Sequence, residues 1–153
     1  MTKVVNYVGV DVSKETLDVA IPKEDGCYVH KKISNNPLGF KSIIKYLPKD
    51  ACIVMEATSS YYMPFAYYLH SQQILLSIVN PLSVNHFCKM RMSRAKTDRK
   101  DAAMIAQYGK SETPRLWQPK AEHLLELQQL QAILDNLTKQ KTSCSNQLEA
   151  FVS

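Results

Sequence analysis

The chain has 153 residues, of which 45% are hydrophobic, so its length and composition fit one folded domain with an appendage and argue against global disorder. No apolar stretch reaches the ~18–20 residues of a membrane helix, and the N-terminus lacks a secretory pattern. The four cysteines have no C-x-x-C spacing, which indicates reduced thiols in a cytoplasmic protein. The net charge is +5, and the excess lies in residues 1–110, which contain 15 Lys and Arg and 9 Asp and Glu. Such a charge favours binding of a polyanionic partner, although solubility alone also explains it.

The first part of the chain predicts three antiparallel strands. Residues 4–12 are rich in β-branched side chains, residues 16–21 alternate between apolar and polar, and residues 27–33 follow a turn at 24–26. Because the links between them are short, neighbouring strands must run antiparallel.

Helices and parallel strands are predicted next. A helix at about 36–46 precedes a short apolar strand at 52–56, which is typical of a strand buried on both faces. A second helix, with Thr58 or Ser59 as its N-cap, leads to a fifth strand at 74–79. This order predicts an α/β fold with a mixed five-stranded sheet flanked by helices.

The last part predicts a linking segment, a helix from about 98 that Gly109 ends, a linker at 113–119 and a long helix over 120–153. Eight residues of that helix follow a 3-4-3-4 spacing: Leu127, Leu130, Leu134, Leu137, Lys141, Cys144, Leu148 and Phe151. Such a heptad seam predicts a coiled coil, in which this helix needs a partner helix. No C-cap precedes Ser153, so we expect the chain to be a fragment of a longer protein.

Four acidic residues are candidate metal ligands. Asp11 and Glu56 lie in apolar strands, where a lone carboxylate is costly to bury, and Asp98 and Asp101 share one face of a helix start. If folding gathers them, the four carboxylates would hold two Mg²⁺ or Mn²⁺ ions and catalyse phosphodiester chemistry. Each acid also has an alternative role. Asp11 would end its strand and cap the following turn, Glu56 would be a solvated strand end, and Asp98 and Asp101 would stabilise the start of a helix.

A basic segment leads into the aspartate pair. Residues 89–100 carry six cationic side chains against one acid before Asp101, which favours phosphate contacts beside the acids, although a solvated charged loop has the same composition. The six residues are Lys89, Arg91, Arg94, Lys96, Arg99 and Lys100. No Walker loop or G-x-G-x-x-G supports a nucleotide cofactor.

Four segments together resemble the DEDD transposases of insertion sequences, a family that includes the Piv-type DNA invertases. They are GVDVSKETLDVAI, VMEATSSYY, IVNP and, most specifically, AKTDRKDAAMIAQY. The resemblance covers about residues 5–110, and Asp11, Glu56, Asp98 and Asp101 match the family's four acidic positions.

The resemblance implies an RNase H-like, RuvC-like catalytic domain at 1–112, DNA as substrate with nucleoid association, a bridge RNA as guide, and dimer contacts through the helix from about 120. It also implies a second catalytic domain with a nucleophilic serine that this chain does not contain, so we expect the chain alone not to recombine DNA. Two alternatives stay open, a stand-alone Holliday-junction nuclease and a non-catalytic module that binds nucleic acid and dimerises.

Overall fold

The structure is a computed structural model that describes residues 5–91 and 98–153, with the backbone alone at residues 98–100. The chain forms two compact units, Met1–Gln118 and Pro119–Ser153.

The first unit contains a mixed five-stranded sheet. Its strands in chain order are β1 (Asn6–Val12), β2 (Thr16–Pro22), β3 (Tyr28–Ser34), β4 (Ala51–Glu56) and β5 (Leu75–Val79). They lie in the order β3-β2-β1-β4-β5, in which β3 with β2 and β2 with β1 pair antiparallel, whereas β1 with β4 and β4 with β5 pair in parallel. The predicted meander joined to parallel crossovers is therefore confirmed.

Helices cover both faces of this sheet. They are α1 (Pro37–Ile44), α2 (Met63–Ser71), α3 (Pro81–Met90) and α4 (Asp98–Glu112), with a 3₁₀ turn at Ser60–Tyr62 before α2. Asn36 caps α1 by accepting the Gly39 N–H at 2.9 Å. Ser59 accepts the Tyr61 N–H and so caps the 3₁₀ turn rather than α2.

Helix α3 was not predicted: between the strand at 74–79 and the helix from about 98, the sequence predicts only a linking segment. Asn80-Pro81 does end β5 at Val79. The same pair also starts a helix. The Asn80 side chain accepts the Leu82 N–H at 2.9 Å, and Pro81 occupies the first helical turn, where a missing N–H costs nothing.

The prediction that Gly109 ends α4 was wrong, since the helix continues to Glu112 and is followed by Thr113 at φ 43°. Gly109 lies where the helix contacts the sheet. A Cβ there would stand 2.6 Å from Val54 Cγ2 and 2.9 Å from Tyr7 Cδ1. The glycine therefore permits close packing rather than a helix stop.

The core has two layers, one on each face of the sheet. One layer packs α1 and α2 against alternate strand residues such as Val10, Val19 and Met55, all fully buried. The other packs α3 and α4 around Val54 and Ile105. Residues 114–117 complete the β5 edge, where the Trp117 N–H donates to the Leu76 carbonyl at 2.8 Å.

The second unit consists of helix α5 (Glu122–Val152), whose 31 residues span about 46 Å at 1.5 Å per residue. Its predicted seam is exposed throughout, with Leu130 at 62% and Phe151 at 91% of full exposure. Among the residues that the structure describes, no helix is long and apolar enough to cross a membrane.

A close helix–sheet contact lies at Gly9 and gives the first prediction. A Cβ at this position would overlap the Ala102 carbonyl oxygen and stand 2.5 Å from the Ala106 nitrogen. Because both are backbone atoms, α4 would have to shift. We expect Gly9→Ala to lower the free energy of unfolding by about 2–3 kcal/mol in urea denaturation.

Gly26→Ala is the control for this prediction. Gly26 has φ 82°, but no atom lies within 4 Å of an added Cβ, so only backbone strain remains, about 1 kcal/mol. Equal losses for the two variants would contradict the close contact between β1 and α4.

Candidate functional site

Asp11 and Glu56 lie side by side on neighbouring strands. The parallel pairing of β1 with β4 runs from Asn6 opposite Ala51 to Val10 opposite Met55, and the two acids directly follow that last pair. Neighbouring strands are about 4.8 Å apart, so the backbones of the two acids lie about 5 Å from each other across the two strands. They also lie at the carboxyl ends of their strands, where open α/β sheets bind ligands.

Both acids belong to the sheet face that α4 covers. Side chains alternate along a strand, so Asp11 shares a face with Gly9, and Glu56 shares a face with Val54. Gly9 faces the α4 backbone, and Val54 lies within contact of Gly109 on the same helix. Both acids are partly buried.

Helix α4 runs antiparallel to β1. Tyr7 lies beside Gly109, whereas Gly9, two residues further along the strand, lies beside Ala102 and Ala106. Two strand residues advance about 6.6 Å, slightly more than one helical turn. The next step along β1 therefore brings Asp11 toward the first turns of α4, where the sequence has Asp98 and Asp101.

The two aspartates of α4 differ in how much the structure describes. The Asp101 side chain is partly buried and lies next to the buried stripe that contains Ala102, Ile105 and Ala106. Asp98 begins the helix, but its side chain lies outside the described residues. Among the described side chains, no three His, Cys, Asp or Glu residues are grouped closely enough to hold a metal ion.

A further acid, Asp18, was missed by sequence analysis. It pairs directly with Asp11 across β1 and β2, and on its other side it pairs with Lys32 of β3. Directly opposed residues share a sheet face, so the four strands carry a transverse charged row of Glu56, Asp11, Asp18 and Lys32. Lys32 Nζ lies 3.7 Å from Asp18 Oδ2.

The Asp18 side chain is only 16% exposed, whereas that of Lys32 is 58% exposed. The alternation in TLDVAI predicts that Asp18 points to the other face of the strand from Leu17 and Val19. It does not predict which residue of β1 pairs with Asp18. The strand pairing was the missing information.

The turn after β1 is held by Ser13. Its hydroxyl donates to the Thr16 carbonyl at 2.8 Å, and the Thr16 N–H donates back to that hydroxyl at 3.2 Å. The Asn35 amide donates to the carbonyls of Ser13 and Tyr61, at 2.9 and 3.1 Å. These bonds tie together three loops at the carboxyl end of the sheet.

An uncharged layer lies nearer the other end of the same sheet face. Burial raises the pKa of the Cys52 thiol, an effect that its hydrogen bond to Ser77 partly offsets. Burial also raises the pKa of Tyr7, and the neighbouring Cys52 adds to that rise. At neutral pH these groups are therefore protonated and uncharged.

The six basic residues of the sequence prediction fall in three groups. Lys89 and Arg91 are exposed at the end of α3. Arg94 and Lys96 lie outside the described residues, as do the side chains of Arg99 and Lys100. Arg91 Nη1 lies 3.5 Å from Gln107 Oε1. Gln107 is nine residues after Asp98, about 13 Å down the helix, so Arg91 is remote from the start of α4.

Comparisons with known proteins agree with this geometry. The family model described as transposase, for DEDD transposases of the IS110 type, matches residues 8–153. The pilin gene-inverting proteins of Moraxella bovis and Moraxella lacunata are each 32% identical to the chain over 127 residues, covering 79% of it and 39% of their own length. The chain thus spans about two fifths of the curated relatives it matches.

A solved structure shares the fold. RuvC of T. thermophilus, in a complex with a Holliday junction substrate, superposes with a TM-score of 0.51 at 8% identity, covering 74% of this chain and all of that one. This likeness confirms the predicted RuvC-like fold of the sheet and its helices. The family match over almost the whole sequence, together with the two relatives, establishes that the chain belongs to the DEDD transposases of the IS110 type.

Proposed function

We propose that this chain is the metal-dependent catalytic part of a transposase that cleaves and joins DNA strands. The observation that carries the proposal is the juxtaposition of Asp11 and Glu56 at the carboxyl ends of two parallel strands, on the face that α4 crosses. The direction of α4 supports adding Asp98 and Asp101 to this pair. The relatives are named for inverting a pilin gene, which supports DNA rearrangement as the reaction.

The donor set fits hard divalent cations. Carboxylate oxygens are the ligands that Mg²⁺ and Mn²⁺ prefer, and Asp11, Glu56, Asp98 and Asp101 would together hold two such ions. Two bound ions would supply Lewis acidity for the attacking and leaving oxygens of a phosphodiester. In this proposal β1 and β4 carry the first two carboxylates, and the contact at Gly9 supports the placement of the helix that carries the other two.

Electrostatics favour a cation at this position. Two ionised carboxylates separated by the spacing of neighbouring strands, about 5 Å, would repel by about 3 kcal/mol at an effective dielectric of 20. Asp11 and Glu56 are partly buried, so solvent screens this repulsion incompletely. A bound divalent ion would convert the repulsion into attraction.

The substrate in this proposal is DNA. Lys89, Arg91, Arg94, Lys96, Arg99 and Lys100 would contact its phosphates, and a bridge RNA would present the same phosphodiester chemistry. The resemblance assigns the covalent step to a serine in the longer relatives. We predict that this chain alone does not complete recombination. Recombination is therefore assayed in a protein of the relatives' length that contains this sequence, called the full-length protein below.

The first test replaces one strand carboxylate. We expect Asp11→Asn and Glu56→Gln each to lower strand cleavage by the full-length protein at least 100-fold, because each removes a proposed ligand. Calorimetric titration of the 153-residue chain with Mn²⁺ gives a second readout, in which each variant should lose most of the binding heat.

Glu24→Gln is the matched control, since Glu24 is exposed in the β2–β3 turn and the substitution removes the same charge. It should leave Mn²⁺ binding and cleavage unchanged. Full cleavage by Asp11→Asn, with folding verified by circular dichroism, would refute the proposed function.

The charged row gives a second test, with effects of opposite sign. Asp18 would add negative potential beside Asp11, and Lys32 would subtract from it. We expect Asp18→Asn to weaken Mn²⁺ binding about two- to fivefold and Lys32→Gln to strengthen it by a similar factor, as measured by calorimetry. Shifts of the same sign for both variants would contradict an electrostatic role of the row.

We also propose that α5 pairs two copies of the chain through its exposed seam. Replacing Leu134 and Leu137 by Asp places charges in that seam and should convert a dimer into a 17.4 kDa monomer in light scattering. Asn136→Asp with Ser143→Asp is the control, because both positions lie outside the seam. A wild-type monomer at 100 µM would refute the pairing.

A further inference from the structure

A concave basic groove lies near the C-terminal end of α4, between this helix, the β2–β3 turn and the end of α3. Its volume is about 470 Å³, and its lining residues are Gly26, Tyr28, Arg91, Gln107, Lys110 and Ser111. An adjoining cavity of about 150 Å³ shares Gly26, Tyr28 and Lys110 and adds Lys23. We call these two cavities together the basic groove.

Every polar side chain that lines the 470 Å³ cavity can donate a hydrogen bond. Arg91 and Lys110 are cationic donors, and Tyr28, Gln107 and Ser111 supply hydroxyl and amide donors. None of the described lining residues of either cavity is acidic. The nearby carboxylates of Glu24, Asp25 and Glu112 do not line it, although Glu112 accepts from the Ser111 hydroxyl at 3.4 Å.

The Arg91 guanidinium packs against an aromatic neighbour. The Arg91 guanidinium lies 4.7 Å from the centroid of the Phe87 ring, which itself meets Tyr108 edge-on. Burial raises the pKa of Tyr28, and the charge of Arg91 opposes that rise, which places the guanidinium near the phenol. A neutral Tyr28 hydroxyl is thus available as a donor at neutral pH.

This donor set selects an anion with several oxygens. Arg and Lys neutralise phosphate charge, while hydroxyl and amide donors complete the hydrogen bonds of its remaining oxygens. An acidic peptide would require room for bulky side chains. A phosphodiester backbone presents its oxygens at regular intervals and fits an open groove.

We propose that the basic groove binds the phosphodiester backbone of a nucleic acid at a point remote from the acidic row. Lys110 is nine residues after Asp101 on α4, about 13 Å along the helix. Four residues of β1 separate Tyr7, which lines the adjoining cavity, from Asp11, again about 13 Å. At about 3.4 Å per base pair, the contacted phosphate would lie about four base pairs from the cleaved one.

This inference rests on the proposed function only in its choice of nucleic acid as ligand. The experiment measures fluorescence anisotropy of labelled 30-base-pair DNA duplexes and, in a second arm, of an RNA hairpin, each titrated with the 153-residue chain. We expect Arg91→Gln and Lys110→Gln each to weaken binding about three- to tenfold, and the double variant to reduce the slope of log K against log[salt] by about two. Tyr28→Phe should weaken binding about twofold.

The matched control is Lys41→Gln with Lys45→Gln, because it removes the same charge from the α1 side of the sheet. Urea denaturation verifies that each variant is folded. Losses confined to one arm would identify DNA or RNA as the occupant and support the groove. Equal affinities and salt slopes for the groove and control variants, or no binding by the wild-type chain in either arm, would overturn it.

Failure of the groove and failure of the proposed function are distinguishable. Asp11→Asn should bind DNA like the wild-type chain, whereas the groove variants lose affinity. In the full-length protein, the groove variants should raise the DNA concentration needed for half-maximal cleavage, whereas Asp11→Asn should lower the cleavage rate at saturating DNA. If no metal supports cleavage but the groove variants still bind more weakly, the groove stands and the proposed chemistry falls.

Discussion

The backbone contact between Gly9 and α4 is the constraint on which the rest of the structure depends. The nearest helix atoms to a Cβ at Gly9 would be the Ala102 carbonyl and the Ala106 nitrogen, so helix and strand are separated by no side chain of β1. This proximity fixes the height of α4 above the sheet. It also fixes which end of the helix lies over the carboxyl ends of β1 and β4, and a second glycine, Gly109, extends the contact along the helix.

The two sheet faces divide stability from chemistry. Under α1 and α2, alternate residues of the central strands are fully buried and apolar, and they provide most of the core. Under α4, the same strands present Gly9, Ala20 and then the charged row that contains Asp11 and Asp18. Because the opposite face already supplies a dense hydrophobic layer, the α4 face can carry acids at its end without depending on them for folding.

Much of this arrangement could be predicted from sequence, and the exceptions share a cause. Strand periodicity and short links gave the meander and crossovers, and the apolar surroundings of Asp11 and Glu56 singled them out. Asp18 was hidden because cross-strand register is not encoded in one strand's pattern. Helix α3 and the end of α4 were mispredicted because Asn-Pro suits both a strand end and a helix start, and glycine suits both a helix end and a close packing contact. Only the packing decides between them.

The polarity of α4 favours the two aspartates of its first turn and Lys110 in its last turn, although Arg99 and Lys100 also lie in the first turn and Glu112 ends the helix. A helix carries partial positive charge at its N-terminus and partial negative charge at its C-terminus, so carboxylates are favoured in the first turn and cations in the last. Asp98 and Asp101 stand at one end of α4 and Lys110 at the other, beside Arg91 from α3. One helix thus sets the spacing between a candidate metal site and a candidate backbone site. A phosphate bound in the groove would lie about 13 Å from the acids, beyond the Debye length of about 8 Å at physiological salt.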